Sequence, residues 1–371
     1  MADFSVLIIG AGVIGLAIGK KLAEDGMSVG ILEKRKRYGL ETSSRNSEVL
    51  HSGIHYSPGS LKAILSVTGN RLWKETLKLH GLTYVPSGKI TVASNRQEVE
   101  AIEKLYRQGR ENGVPGLEML TRKQVKNLEP DIEGKIGLFT PSTALINAHQ
   151  AMDFLAQAFK EAGGLLALAS PVTGLEKVGQ EYRVTVRKDK EDSYLAEKVI
   201  NCAGLLADQV AGFLGMKYQL SWAKGDYFSL HQNLKVTRLV YPVPTPYSLG
   251  IHLTPRIGGS YRLGPDVEYV EKKEPAYPDE DRQGSYLVNP EKRDFFYQEA
   301  RKYLPSLERS KIVPETYGLR PRLQPAGSES LDFMIKDEAD QGFPGFINLL
   351  GIESPGLTAA LAIASYVREI L

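Results

Sequence analysis

A single cysteine, Cys202, stands in a chain of 371 residues. Its isolation excludes an internal disulfide framework and suits a reducing compartment. A charge excess is also missing: 46 Lys+Arg against 44 Asp+Glu leave a formal +2. That balance gives no electrostatic reason to expect a nucleic-acid partner. No stretch reaches the ~20 apolar residues that a membrane span requires. The apolar N-terminus is interrupted by glycines and has no cationic leader, so it reads as a strand and helix and not as a signal peptide. Fixed-period repeats and low-complexity tracts are absent, and no metal is expected. What remains is a cytoplasmic protein of one large or two interleaved domains, with peripheral contact at the inner membrane face left open.

What the chain does contain begins at Val6. The run Val6-Leu7-Ile8-Ile9 leads into Gly10-Ala11-Gly12-Val13-Ile14-Gly15, an apolar helix-like segment, and a second short strand from Ser28 that ends at Glu33. This is a βαβ unit with a G-x-G-x-x-G fingerprint and an acid 18 positions after Gly15. Gly10 makes the tight turn, Gly12 admits a pyrophosphate, and Gly15 lets helix and strand pack closely. The helix N-terminus offers N–H groups to the phosphates, and Glu33 accepts from a ribose hydroxyl. A strand before, a helix after and a terminal acid supply the context that makes this a dinucleotide site.

Further on, basic residues from Lys34 to Arg37 precede Ser43-Ser44-Arg45-Asn46-Ser47, a polar loop suited to close over the pyrophosphate. Then comes the richest cluster of proton-transfer side chains, His51, His55 and Tyr56. The spacing predicts a helix over 60–80, a strand–turn–strand over 84–93, and helices over 96–112 and 147–163. A strand over 165–169 and a hairpin over 173–187 follow. The strand ending Asn201-Cys202-Ala203-Gly204 is a second place where backbone approaches a ligand closely. Residues 222–269 read as proline-punctuated strands of a mostly antiparallel sheet. A charged loop over 272–283 and a helix over 291–303 come next. Thr316 to Arg322 is read as a strand end presenting two arginines. The C-terminus gives a strand over 346–350, the turn Gly351-Ile352-Glu353-Ser354-Pro355-Gly356, and a closing helix.

These residues resemble a known group. The fingerprint, the loop 43–47, His51-Ser52-Gly53-Ile54-His55-Tyr56 and Asn201-Cys202-Ala203-Gly204 are similar to the FAD-dependent oxidoreductases of the D-amino-acid-oxidase superfamily. Tyr241-Pro242-Val243-Pro244, the segment 250–256 and Leu263-Gly264-Pro265 resemble its L-2-hydroxyglutarate dehydrogenase/oxidase branch. The resemblance implies an α/β fold, α+β overall. A Rossmann-like FAD/NAD(P)-binding domain would comprise 1–84, 145–215 and 318–371. An interleaved, mainly antiparallel-sheet substrate domain would comprise 85–144 and 216–317. It implies non-covalent FAD, held by Gly10, Gly12, Val13, Ile14, Gly15, Glu33, Lys34, residues 43–47, Val172, Cys202, Ala203 and Gly204. Arg320 and the C-terminal turn Gly351, Ile352, Ser354, Pro355, Gly356, Leu357 and Thr358 would complete the cofactor site.

The activity implied is oxidation of a small 2-hydroxy acid, L-2-hydroxyglutarate foremost, to the 2-oxo acid. Arg320 is the expected carboxylate clamp, because a guanidinium offers two parallel donors. Arg256, Arg322 or Lys224 would meet a second carboxylate, and Tyr56 adds a polar contact. The base is a histidine, His51 or His252, with His55 third. The electron acceptor is oxygen, a quinone or another protein. The segment Gly318-Leu319-Arg320-Pro321 follows the amino-acid-oxidase pattern and keeps an amino- or imino-acid oxidase as the alternative. A non-catalytic flavin-binding protein is the reading from a different class.

Overall fold

The computed structural model describes residues 2–188, 190–244, 250–278, 283–325, 327–328 and 331–371. Positions 279–282 of the expected charged loop, and the Asp189, 245–249, 326 and 329–330 positions, lie outside them.

The opening βαβ unit organises an eight-stranded sheet. Phe4–Ile9 and Val29–Leu32 run parallel, with Val6 opposite Val29 and Ile9 opposite Leu32. Their apolar residues are continuous because both faces of a parallel sheet are covered. On the other side, Ile9 lies opposite Asn201 of Glu191–Asn201, which pairs in parallel with Phe343–Leu350 beyond it. The hairpin Val172–Val178 and Glu181–Arg187 widens the sheet, and Leu165–Ala167 closes its far edge. The carboxyl ends of five parallel strands therefore meet along one edge. In open α/β sheets ligands bind at that edge.

Three helices cover one face: Val13–Glu24, Ala148–Glu161 and the C-terminal Gly356–Ile370. Their buried residues include Leu16, Ile18, Phe159 and Ile363. Helix Leu61–Leu79 packs on the C-terminal helix through Gly69, where an added Cβ would lie 2.1 Å from the Thr358 carbonyl oxygen. Trp73 nearby donates from Nε1 to the Leu357 carbonyl at 2.9 Å. A backbone atom cannot yield as a side-chain end does, so Gly69→Ala is expected to destabilise by about 3 kcal/mol. That should lower Tm by roughly 4 °C, read by thermal melts in excess FAD. An unchanged Tm would refute the close helix approach.

A nine-stranded, mainly antiparallel sheet forms the second layer. Its spine is the pair Ser221–Leu230 and Ile312–Arg322, which runs from Ser221 opposite Arg322 to Leu230 opposite Ile312 with a bulge between Tyr227 and Phe228. The latter strand runs unbroken through position 318. Lys89–Ala93 lies between Leu239–Pro242, its one parallel partner, and Ile136–Thr140.

Two local readings change. The expected strand–turn–strand over 84–93 is not a hairpin. Tyr84–Val85 pairs with Ala144–Ile146 in a small third sheet with Val49–Leu50, whereas Lys89–Ala93 enters the nine-stranded sheet. Gly88, at φ +69°, makes the corner between them. Met334–Glu338, antiparallel to Phe343–Leu350, has no clear apolar alternation and escapes sequence reading. No helix is long and apolar enough to cross a membrane among the described residues.

Candidate functional site

Between the two large sheets lies a cavity of about 1870 Å³. That is well beyond the ~300–1,000 Å³ of an ordinary small-molecule site, and its residues sort into two ends.

At the first end lie Gly10, Gly12, Val13 and Ile14. Gly10 sits at φ +105°, and a Cβ there would approach the Cys202 carbonyl oxygen to 2.5 Å. Gly15 does not line the cavity; its Cβ would meet the Gly10 carbonyl oxygen at 2.0 Å, so its role is the packing of helix on strand. The N-cap Gly12 brings no side-chain cap, and the first turn carries no acid. First-turn N–H groups lack intrahelical partners, so the helix end is open to an anion. Val13 N–H is met at 3.0 Å by Ser43 Oγ, a hydroxyl that can rotate away. Glu33 is nearly buried and its carboxylate accepts from Ala11 and Arg35 N–H at 2.9 and 2.8 Å. Desolvation raises its pKa above the usual carboxylate value against those bonds.

Lys34, Ser43, Arg45, Asn46, Ser47, Val172, Cys202, Ala203 and Gly204 also line this end. Ser44 does not; its hydroxyl donates to the Glu41 carbonyl at 2.9 Å and holds the turn. Asn201 sets the second backbone approach, donating to the Ala207 carbonyl at 2.7 Å and accepting from Ala203 N–H at 3.2 Å. From the C-terminal turn, Ile352, Ser354, Pro355, Gly356 and Leu357 reach the cavity, whereas Gly351 and Thr358 do not. Thr358 is buried and its Oγ1 accepts from His51 N–H at 2.9 Å. The cradle at Gly10 and Gly12, the uncapped helix and the buried acid fit an FAD pyrophosphate and ribose. No group of His, Cys, Asp and Glu among the described residues could hold a metal.

At the second end the structure brings together His51, His55, Tyr56, His252, Arg320 and Arg322. Desolvation, then the Lys89 charge, push the His51 pKa down to about 3. The same causes hold His55 well below its usual value. Both rings are therefore neutral near pH 7. Tyr56 is raised by desolvation and stays a phenol. Arg320 leans over Gly225 and points both terminal nitrogens at the Asp266 carbonyl, 3.3 Å from each. Among the described residues it forms no ion pair.

The other expected cations are already engaged. Arg322 lines the cavity but donates to Glu353 at 2.9 Å and the Tyr269 hydroxyl at 3.2 Å. Lys224 does not reach the cavity; it pairs with buried Asp226 at 2.9 Å and donates to the Leu287 carbonyl. Arg256 pairs with Glu315 at 2.9 Å and lies at a separate small hollow beside Ser47 and Arg262.

Two residues escaped sequence reasoning. Lys89 is fully buried, and its Nζ lies 2.8 Å from His55 Nε2. Tyr241 stacks on His252 with ring centroids 3.5 Å apart. A lysine opening the strand Lys-Ile-Thr-Val gives no sign of its destination. Tyr241 lies in a recognisable motif, and that was the one available signal.

Residues 5–370 match the family described as FAD dependent oxidoreductase. The chain is 33% identical over 98% of its length to the mitochondrial L-2-hydroxyglutarate dehydrogenase of Arabidopsis thaliana, covering 82% of it. It is 31% identical over 99% of its length to the glycerol 3-phosphate dehydrogenase of Caloramator mitchellensis, covering 74% of that protein. Among solved structures it resembles the FAD-bound L-alpha-glycerophosphate oxidase of Mycoplasma pneumoniae, with a TM-score of 0.86 and 27% identity. That match covers 100% of this chain and 95% of the other.

Proposed function

The chain belongs to the FAD-dependent oxidoreductase family, and from that premise we propose that it oxidises an L-2-hydroxy acid, L-2-hydroxyglutarate foremost, to the 2-oxo acid. The layer built on residues 1–84, 145–215 and 318–371, less the strand end 318–322 that stays in the nine-stranded sheet, holds FAD, and 85–144 with 216–317 form the substrate side. FAD, when bound, supplies the acceptor for the two electrons and hydrogen leaving the substrate Cα.

The observation that carries this reading is a guanidinium, Arg320, that has no carboxylate partner among the described residues and shares one cavity with neutral histidines. Two parallel N–H donors match the two oxygens of a carboxylate. Holding the acid there fixes the adjacent hydroxyl carbon. His51 is the base: a neutral ring nitrogen can take the hydroxyl proton, and its backbone is pinned by Thr358. His51 also lies beside the C-terminal turn, with Nε2 3.4 Å from Ser354 Oγ. His252 is packed face-on against Tyr241, which suits it to shaping the wall. Oxygen, a quinone or another protein is the onward acceptor.

Anaerobic bleaching of the bound flavin tests the substrate. L-2-hydroxyglutarate should bleach it; the D-isomer, lactate, malate and amino acids should do so poorly. The two glycerol phosphate relatives favour a second reading, oxidation of glycerol 3-phosphate, and faster bleaching by that compound would replace the first. Arg320→Leu is expected to raise KM about 100-fold or more, the order of a lost charge-assisted pair. The flavin spectrum should remain that of the parent. Unchanged steady-state constants would move the carboxylate site elsewhere.

A further inference from the structure

Lys89 is a buried lysine with no anion beside it among the described residues. It stands at the start of strand Lys89–Ala93, with no exposed surface. Among the described residues no carboxylate pairs with it, and burial is the cause acting on its charge. Buried lysines are rarely left so. Its neighbours are aromatic and basic. His55 Nε2 is 2.8 Å from Nζ, and the Tyr241 ring centroid is 4.8 Å away. From the flanking strand Leu239–Pro242 comes Tyr241, and from Ile136–Thr140 only the neutral Thr140 opposite Lys89. The segment 51–56 contributes His51, His55 and Tyr56, and the segment before Leu253–Pro255 contributes His252. His55, Tyr241 and His252 form a layered stack, with His55 and Tyr241 centroids 6.3 Å apart and planes at 13°.

Lys89 lies behind this stack, and the stack faces the cavity. His55 is thus the atom set that a ligand meets, and Lys89 is the charge behind it. Among the described residues, the buried polar atoms His55 Nδ1 and Tyr241 Oη have no hydrogen-bond partner. A positive charge, one imidazole nitrogen and one phenol hydroxyl are a receptor for an anionic oxygen group.

We propose that His55, Tyr241 and Lys89 form an anion subsite for the second carboxylate of a dicarboxylate substrate, loaded by one proton taken from solvent when that carboxylate binds. This rests on the hydroxy-diacid reading above and names the group that separates a diacid from lactate. In the free protein, desolvation lowers Lys89 to about 7. Above that pH the pair His55–Lys89 is mostly uncharged. An arriving carboxylate stabilises the ammonium form, so the proton moves onto Lys89, and His55 Nε2 accepts a hydrogen bond from Nζ. The imidazole can then direct an Nδ1–H toward the ligand. Lys89 acts through His55 and is a positioning residue; it reaches no substrate atom itself.

The test uses the FAD-loaded enzyme with glutarate and butyrate, which lack the oxidisable hydroxyl. Binding is followed by the flavin absorbance change and proton uptake by an indicator dye in weakly buffered solution. At pH 8 glutarate should take up about one proton per molecule bound, and butyrate none. Glutarate affinity should fall by up to about tenfold per pH unit above 7, while butyrate affinity stays level. Lys89→Met should weaken glutarate about tenfold at pH 6 and abolish the uptake, leaving butyrate within twofold. Glutarate binding without proton uptake by the parent enzyme overturns the subsite, whatever the variant does. Equal weakening of both ligands by Lys89→Met overturns it as well. A parent enzyme that gives no response to glutarate but binds glycerol 3-phosphate overturns the diacid reading itself.

Discussion

Gly12→Val is expected to give a folded but colourless protein. The backbone at Gly12 is ordinary, φ −73° and ψ 177°, so a side chain there meets no conformational strain. A Cβ would encounter only the Ser43 hydroxyl, at 3.0 Å. The fold therefore tolerates the change. The space it fills is the approach to the N-terminus of helix Val13–Glu24, where the pyrophosphate must lie against N–H groups. Neighbouring glycines behave differently. Gly15 meets backbone oxygen at 2.0 Å and Gly10 meets it at 2.5 Å with a left-handed φ. Substitutions at those two sites should damage folding along with binding. Flavin absorbance per mole of protein, beside far-ultraviolet circular dichroism, distinguishes the cases. A Gly12→Val protein with normal flavin content would place the cofactor elsewhere.

His51→Ala is expected to slow anaerobic flavin reduction by about 10²–10⁴-fold, the usual range for removing a positioned general base. His252→Ala should cost far less, because its ring packs against Tyr241. The slower of the two variants identifies the base, and a slower His252→Ala would reverse the assignment. The pH dependence has a definite sign. His51 is pushed down to about 3, so in the free enzyme the neutral, proton-accepting form persists as pH falls through 6.5. Loss of kcat/KM from protonation of this ring should set in only in strong acid. A carboxylate held nearby opposes the Lys89 charge and moves the ring's proton affinity upward in the complex. The acid limb of kcat should therefore lie at higher pH than that of kcat/KM. An acid limb of kcat/KM centred near 6.5 would mean that another histidine titrates.

Acid should also weaken the fold through the same ring. An unfolded His51 binds a proton below about 6.5, whereas the folded one does not until about 3. Stability present above 6.5 is thus lost between these values as pH falls, at up to about 1.4 kcal/mol per pH unit.

The local pattern of the chain was sufficient for much of this. Hydrophobic runs, three glycines and one acid specified the first βαβ unit, because each requirement there is met within a few consecutive residues. The same holds for the C-terminal strand, turn and helix. Specific motifs identified the family, and with it the cofactor. Tertiary structure alone decided which cations remain available. Arg256, Arg322, Lys224 and Arg320 are chemically alike in the sequence. Glu315, Glu353 and Asp226 engage the first three from positions 2 to 59 residues away, and of the four only Arg320 faces the cavity with no carboxylate partner among the described residues. Lys89 makes the same point more sharply. A lysine opening a strand is ordinarily solvated, and its burial behind His55 comes from Gly88 turning the chain between two sheets. Charge pairing and burial depend on residues far apart in the chain, and only the packed fold brings them within a few ångströms.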